Sequence, residues 1–525
     1  MRKPTPTLDL VAGGLYPNQV FISRVKPHWP TLAILLLAAV LRLWALDIKP
    51  PHFDEGVNGW FADQMTRTGY YRYDPTNYHG PLHFYAVFLS QTLGGRNLWA
   101  LRLPAILSSL LAIWAILRLG KYIGQAASRF AALALAVSPA FVFYGRYSIH
   151  ESWLLFFCIL LLWAVFGLWR EGHRRYLAMA VGAITGMILT KETYILHVGS
   201  FALAGLVLAG WQLVFPSRPP APLARQEWKW KDMLCLLGLA AIVIVFFYSG
   251  TFRDFRALKG LVDTYAAWFS TGVEAAGHEK KDYDFGPLNF YWVALMARYE
   301  WPALLGFVAC FRYVFSSDAR IRYTAIMGGG VLLAYSLVPY KTPWCIISVI
   351  WPFPLILGAW LWPQGVQTHR RLRLIASIIL LTASLIASIR LNFFHFTDEN
   401  EPYVYVQTHQ DVSVLTEPLA QKAKADPTFL HSRGVILLDS YYPLPWIFGD
   451  YTAIGYYDTA KEPEKLSGTF IVCEKEKAER VESKLVGQYY RREFRLRDGM
   501  SDCYVYFNAN DFRDIFPGNP DIIGQ

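Results

Sequence analysis

The chain has 525 residues, 54% of them hydrophobic and only 17% charged, and a mean hydropathy of +0.25. That balance is too apolar for a water-soluble globule of this length and points to a membrane protein. The formal net charge of +10 does not indicate nucleic acid, because Lys and Arg fall in short clusters between hydrophobic segments, as expected of cytoplasmic loops. Aromatic residues, 16% of the chain, suit broad membrane–water interfaces.

Residues 1–30 are polar and contain Pro, and read as a cytoplasmic N-terminus. The apolar run after them ends at Pro50-Pro51 instead of a small-residue cleavage site, so the first span is expected to stay as an anchor. Apolar stretches able to cross a bilayer fall near 31–47, 98–119, 127–145, 151–169, 175–191, 193–214, 232–250, 288–314, 323–340, 344–363 and 373–391, about eleven in all. The stretch 81–93 is apolar but short. Placing it on the membrane surface as an amphipathic helix puts every basic cluster, from Arg24 and Lys26 to "THRRLR", on one side. The other side then receives the loop 48–97, "YGRYSIHE", "TKET", the loop 252–287, "YKTPW" and everything after 392.

The expected organisation is a polytopic α-helical module over 31–391 and a small extracytoplasmic α/β domain over 392–525. In that domain "YVYVQT", "GVILLDS", "GTFIVCE" and "CYVYFNA" read as strands and "KEKAERVESKLV" as an amphipathic helix. Cys158, Cys235, Cys310 and Cys345 lie in apolar runs without metal-like spacing, whereas Cys473 and Cys503 are open to pairing or to remaining free.

Asp54 and Glu55 stand just past the first span in "PPHFDEGVNGWFADQM". The bland reading makes Asp54 the N-cap of the helix that begins there. His52, His79, His83, Arg146, His150, Glu151, Lys191, Glu192 and Lys341 also lie at span ends on the same expected side. So many ionisable groups at one membrane boundary suggest a shared polar cavity.

The set "FDEG", "HGPLHF", "RLPAIL", "SPAFVFYGRYSIHESWLLFF" and "LTKETYIL" resembles, in order and spacing, the C-type (GT-C) glycosyltransferase superfamily, specifically its protein O-mannosyltransferase and aminoarabinose–lipid A transferase branch. "YYRYDPTNYHGPLHFY", "YSLVPYKTPW" and "YYPLPWIFGDY" resemble a narrower prokaryotic group of flippase-associated membrane proteins. The resemblance implies a multi-pass protein of the cytoplasmic (inner) membrane, N-terminus inside. It would move a sugar from a polyprenyl-phosphate donor to a lipid, glycan or protein acceptor on the outer side.

The resemblance places the catalytic base at Asp54, with Glu55 as its partner, and implies an inverting displacement. A phosphate leaving group needs positive charge, for which Arg146, Lys191 and Lys341 are the candidates; each is also explicable as a side chain snorkelling from its span. His52, His79, His150, Glu151, Tyr144 and Trp344 are candidates for acceptor binding or for shaping the site. Asp54, His150 and Glu151 would together suit a divalent Zn²⁺ or Mn²⁺ ion; the simpler alternative is that Glu151 orients Arg146 or the acceptor. Trp60, Trp153 and Tyr340 can stack on sugars or belong to an interface belt. One departure is Val57, where the aminoarabinose enzymes carry Arg. The alternatives to an enzyme are a non-catalytic accessory that binds lipid-linked glycans and assists their flipping, and, less well matched, a secondary transporter, for which the sequence lacks an inverted repeat.

Overall fold

A computed structural model describes residues 29–77, 79–214, 223–274, 290–338, 341–458, 461–518 and 522–524. Most of the expected cytoplasmic N-terminus, the Pro-rich loop at 215–222, the tip of the 252–287 loop and Tyr340 lie outside the described residues. The chain opens with α1 (Trp29–Leu43), α2 (Phe53–Thr68), α3 (Leu82–Gly94) and α4 (Leu98–Arg118). Among the described residues, Leu98–Ile123, Glu151–Arg170, Tyr194–Trp211, Trp230–Tyr248 and Arg370–Phe393 are long and apolar enough to cross a bilayer unaided. Two further spans are bent, Gln125–Val137 with Pro139–Arg146 by 60° and Pro343–Ile350 with Pro352–Leu361 by 43°. Both breaks fall at a proline, which lacks the N–H that the preceding turn requires.

The other predicted spans also hold helix: α1 and Arg174–Ile188 are shorter, Tyr291–Tyr299 followed by Trp301–Tyr313 is broken, and Ala319–Leu337 is full-length but less apolar. α3 has 13 residues, about 20 Å at 1.5 Å per residue against a hydrocarbon core of about 30 Å. It packs between α2 and α4.

One apolar core joins α1, α4 and the central helices. By contrast, Trp230–Tyr248 buries none of its apolar window and Arg370–Phe393 only 17%, as suits helices whose apolar surface meets lipid on several sides.

The C-terminal domain is a six-stranded sheet of β1 (Arg433–Leu437), β2 (Ala453–Tyr456), β3 (Phe470–Glu474), β4 (Tyr489–Phe494), β5 (Cys503–Asn508) and β6 (Ile522–Ile523), in the order β2-β1-β3-β5-β4-β6. β1 runs parallel to β2 and β3, and the remaining pairs are antiparallel. Three predicted strands correspond to β1, β3 and β5. The predicted helix shrinks to a 3₁₀ turn and the short helix Ala478–Glu482.

"YVYVQT" is not a strand. Tyr403 and Val404 are buried in the core of the helical module, and the segment runs as an irregular strap whose one ladder contact is an isolated bridge from Thr408 to Arg497. Its β-branched and aromatic composition reflects burial, not pairing. Cys473 and Cys503 are both free. On adjacent strands Cys473 faces Tyr504 and Cys503 faces Glu474, so their thiols enter the cores on opposite faces of the sheet.

The domain is seated on α2. A Cβ placed on Gly56 would lie 2.5 Å from the Pro443 Cα, and one on Gly59 only 2.2 Å from the Trp446 ring. Arg96 adds a fork to Asp63, a contact to Asp450 at 3.1 Å and a bond to the Trp446 carbonyl. Gly59→Val should therefore unseat the Trp446 loop while leaving the helices formed. Limited proteolysis should then release C-terminal fragments at protease levels the unaltered protein withstands. Thiol titration of the denatured chain without reductant should count all six cysteines.

Candidate functional site

The Pro50-Pro51 pair is followed by His52 in extended geometry, and α2 begins at Phe53. His52, not Asp54, is the N-cap. Its Nδ1 accepts from the Asp54 amide at 3.0 Å while the Glu55 carboxylate accepts from the His52 amide at 3.0 Å, a reciprocal capping box. With Nδ1 accepting, the ring proton sits on Nε2 and is donated to the Tyr405 carbonyl at 2.8 Å. The cap thus leaves the Asp54 carboxylate unused.

The two adjacent acids have opposite surroundings. Glu55 is fully buried and takes four hydrogen bonds: Arg102 Nε at 2.8 Å, Arg102 Nη2 at 2.7 Å, the His52 amide and the Ser148 amide at 2.8 Å. Burial alone would raise its pKa, but the Arg102 charge and these bonds outweigh it and hold the carboxyl below the usual range. Every lone pair of Glu55, the expected partner of Asp54, is engaged in holding backbone and Arg102. The Asp54 side chain is 34% exposed, and no described residue donates a hydrogen bond to its carboxylate.

Arg102 also donates to the Pro50 carbonyl at 3.2 Å and to that of Leu46, fixing the turn that delivers His52. Ser148 ties this centre to a histidine group. The Ser148 carbonyl accepts from Asn58 at 2.7 Å and its hydroxyl contacts His83 Nε2 at 3.1 Å. The His150 ring lies 4.7 Å from those of both His79 and His83, and His79 Nδ1 meets Glu192 at 3.1 Å. The strap closes the other side. Tyr144 donates to the Tyr403 carbonyl at 3.0 Å, and the Trp344 ring meets His52 at 5.9 Å and Tyr405 at 5.6 Å.

The predicted phosphate ligands are otherwise occupied. Arg146 is buried and donates to the carbonyls of Leu41, Trp44 and Ala45, capping the end of α1. Lys341 donates to the carbonyls of Tyr335 at 2.7 Å, Ser336 at 3.0 Å and Val338, closing the C-terminus of Ala319–Leu337. Lys191 is ion-paired with Glu151, so a phosphate reaching Lys191 must displace a carboxylate. Asp54, His150 and Glu151 do not converge on a common point; among the described residues the one convergent ligand set is Glu399, His409 and Asp498. Trp60 packs against Phe61 and Trp153 stacks on Phe157.

Three residues not singled out in the sequence belong to this centre. Arg102 was detectable, since an Arg set inside an apolar run such as 98–119 needs a partner. Lys49 is buried, its Nζ 3.5 Å from the Phe143 ring centre and 3.7 Å from that of Tyr147. Burial, then the charges of Arg102 and Arg146, push its pKa well down. Arg497, from the turn after β4, lies over the Phe53 ring at 4.5 Å and donates to the Tyr442 carbonyl at 2.8 Å. Burial brings its pKa down to about 10, opposed by the nearby Asp54 carboxylate.

Residues 78–248 match the family described as dolichyl-phosphate-mannose-protein mannosyltransferase. No curated protein sequence matches the chain. Among solved structures, ArnT from Cupriavidus metallidurans in the apo state is similar at 15% identity and a TM-score of 0.58, over 91% of this chain and 97% of that one. The same protein bound to undecaprenyl phosphate is similar at 14% identity and a TM-score of 0.61, over 91% and 98%. The family match covers about a third of the chain, and the shared architecture over nine-tenths of it shows an ArnT-like fold.

Removing one partner of the buried Glu55–Arg102 pair strands the other charge. Arg102→Ala and Glu55→Gln should each destabilise the protein by about 3–5 kcal/mol, measured by thermal unfolding in detergent. Because the folded Glu55 pKa is depressed, its contribution is complete above the unfolded carboxylate pKa and is lost as the pH falls through the folded one. Glu55→Gln should flatten that acid limb of the stability profile.

Proposed function

We propose that this protein transfers a sugar from a polyprenyl-phosphate donor to an extracytoplasmic acceptor, with Asp54 as general base. The carrying observation is the division of labour at the helix start: Glu55 is saturated and sealed, whereas Asp54 is part-exposed, with a carboxylate that receives no hydrogen bond from a described residue. The ArnT-like fold and the undecaprenyl phosphate held by the similar ArnT structure support a lipid-linked donor.

An acceptor hydroxyl is a weak nucleophile at neutral pH. A carboxylate within hydrogen-bond reach takes its proton as the oxygen bonds to the anomeric carbon. The C–O bond to phosphate breaks as the new bond forms on the opposite face, so a single displacement inverts the configuration. The departing lipid phosphate keeps the bonding electrons as a stable anion and needs positive charge, not an acid. Lys191, released from Glu151, is the candidate to meet it, and Arg497 is a cation close enough to Asp54 to interact with it electrostatically. The proposal includes an inner-membrane location with the N-terminus inside and the C-terminal domain outside, and a lipid, glycan or protein acceptor.

Purified protein incubated with labelled polyprenyl-phosphate sugars and candidate acceptors tests this. Asp54→Asn should lower transfer by about 10²–10⁴-fold with an unchanged unfolding temperature. Equal turnover by both forms would remove Asp54 from the role of base, and lipid binding without product from any donor would favour the accessory reading.

A further inference from the structure

The strap and the C-terminal domain meet at a second cluster, separate from Asp54 and Glu55. Glu399 and His409 come from the strap, and Asp498 from the turn between β4 and β5. Their ligand atoms lie within 4.8 Å of one another. His409 Nε2 stands 3.0 Å from Glu399 Oε1 and 3.2 Å from Asp498 Oδ1. Backbone bonds lock the approach: the His409 amide donates to the Leu496 carbonyl at 3.0 Å and the Asp498 amide to the Gln407 carbonyl at 3.2 Å.

An ion pair to a protonated histidine does not account for this geometry. One ring N–H points in one direction and serves one carboxylate, at about 2.7–2.9 Å. Here the buried Nε2 makes no hydrogen bond, although two carboxylate oxygens stand beside it. Tetrahedral Zn²⁺ with ligands at about 2.0–2.1 Å has ligand atoms roughly 3.3–3.4 Å apart, close to both observed separations. The set of one imidazole and two carboxylates is a zinc-type donor set. Arg495 donates to Glu399 at 2.6 Å. The Glu399 side chain is 39% exposed, which gives an ion a path in and leaves the fourth position to water.

We propose that Glu399, His409 and Asp498 form a structural Zn²⁺ site that staples the strap to the C-terminal domain. The staple acts on both sides of the Asp54 centre. Asp498 follows Arg497, and His409 lies four residues from Tyr405, whose carbonyl holds His52. An ion here would fix the register of the Thr408–Arg497 bridge and with it the placement of Arg497.

Metal analysis of the purified full-length protein tests the site. One Zn²⁺ per chain is expected; chelation should remove it and lower the unfolding temperature, and added Zn²⁺ should restore both. His409→Gln and Asp498→Asn should lose the ion, the half-exposed Glu399→Gln should bind it more weakly, and Asp54→Asn should keep it. The proposal is overturned if neither Zn²⁺ nor Mn²⁺ binds stoichiometrically or moves the unfolding temperature. It is equally overturned if His409→Gln retains the ion or Asp54→Asn loses it. If a variant fails to fold, chelation and restoration on the unaltered protein, with Glu399→Gln, still decide.

Discussion

The buried pair of Glu55 and Arg102 holds this centre together. Two charges removed from water are tolerated only when geometry and further hydrogen bonds replace the lost solvent, and here both conditions are met. Glu55 closes the cap of α2 and anchors the Ser148 amide, while Arg102, on the first turns of α4, gathers the carbonyls of Leu46 and Pro50. Three segments that are distant in the chain, 46–55, the start of α4 and the turn at Ser148, thereby converge on one point. Each end of the pair fixes a part of the backbone that would otherwise be a loop beside the membrane.

That arrangement explains why two neighbouring acids are present. One is dry and organises the helix start, and the other is part-exposed, as the proposed proton exchange requires. They point different ways because successive helical residues are turned by about 100°. Glu55 faces Arg102 on α4, whereas Asp54 is near enough to Arg497, which lies across Phe53, to interact with it. The chemistry assigned to Asp54 therefore depends on Glu55 through geometry, not through shared protonation.

The C-terminal domain is part of the same machine. Its Pro443 and Trp446 sit on the side of α2 where Gly56 and Gly59 leave room for them, and its β4–β5 turn carries the cation that acts on Asp54. The strap 399–409 completes the enclosure with backbone carbonyls from Tyr403 and Tyr405. A separately folded appendage would not need such contacts; a domain that positions groups at the site would.

Composition and the spacing of apolar runs by themselves determined that the chain is a multi-pass membrane protein with a sheet domain at its end, because burial in lipid and the period of a strand are written locally. The motif set likewise pointed to the GT-C fold, and "DEG" drew attention to the right helix start. Sequence could not tell which of Asp54 and Glu55 is sealed, since that is set by Arg102 on another helix. It could not tell that Arg146 and Lys341 close helix ends, that "YVYVQT" is a buried strap, or that Arg497 reaches the site. Those outcomes depend on which distant groups compete for the same hydrogen bonds and the same space, and only the tertiary packing decides that competition.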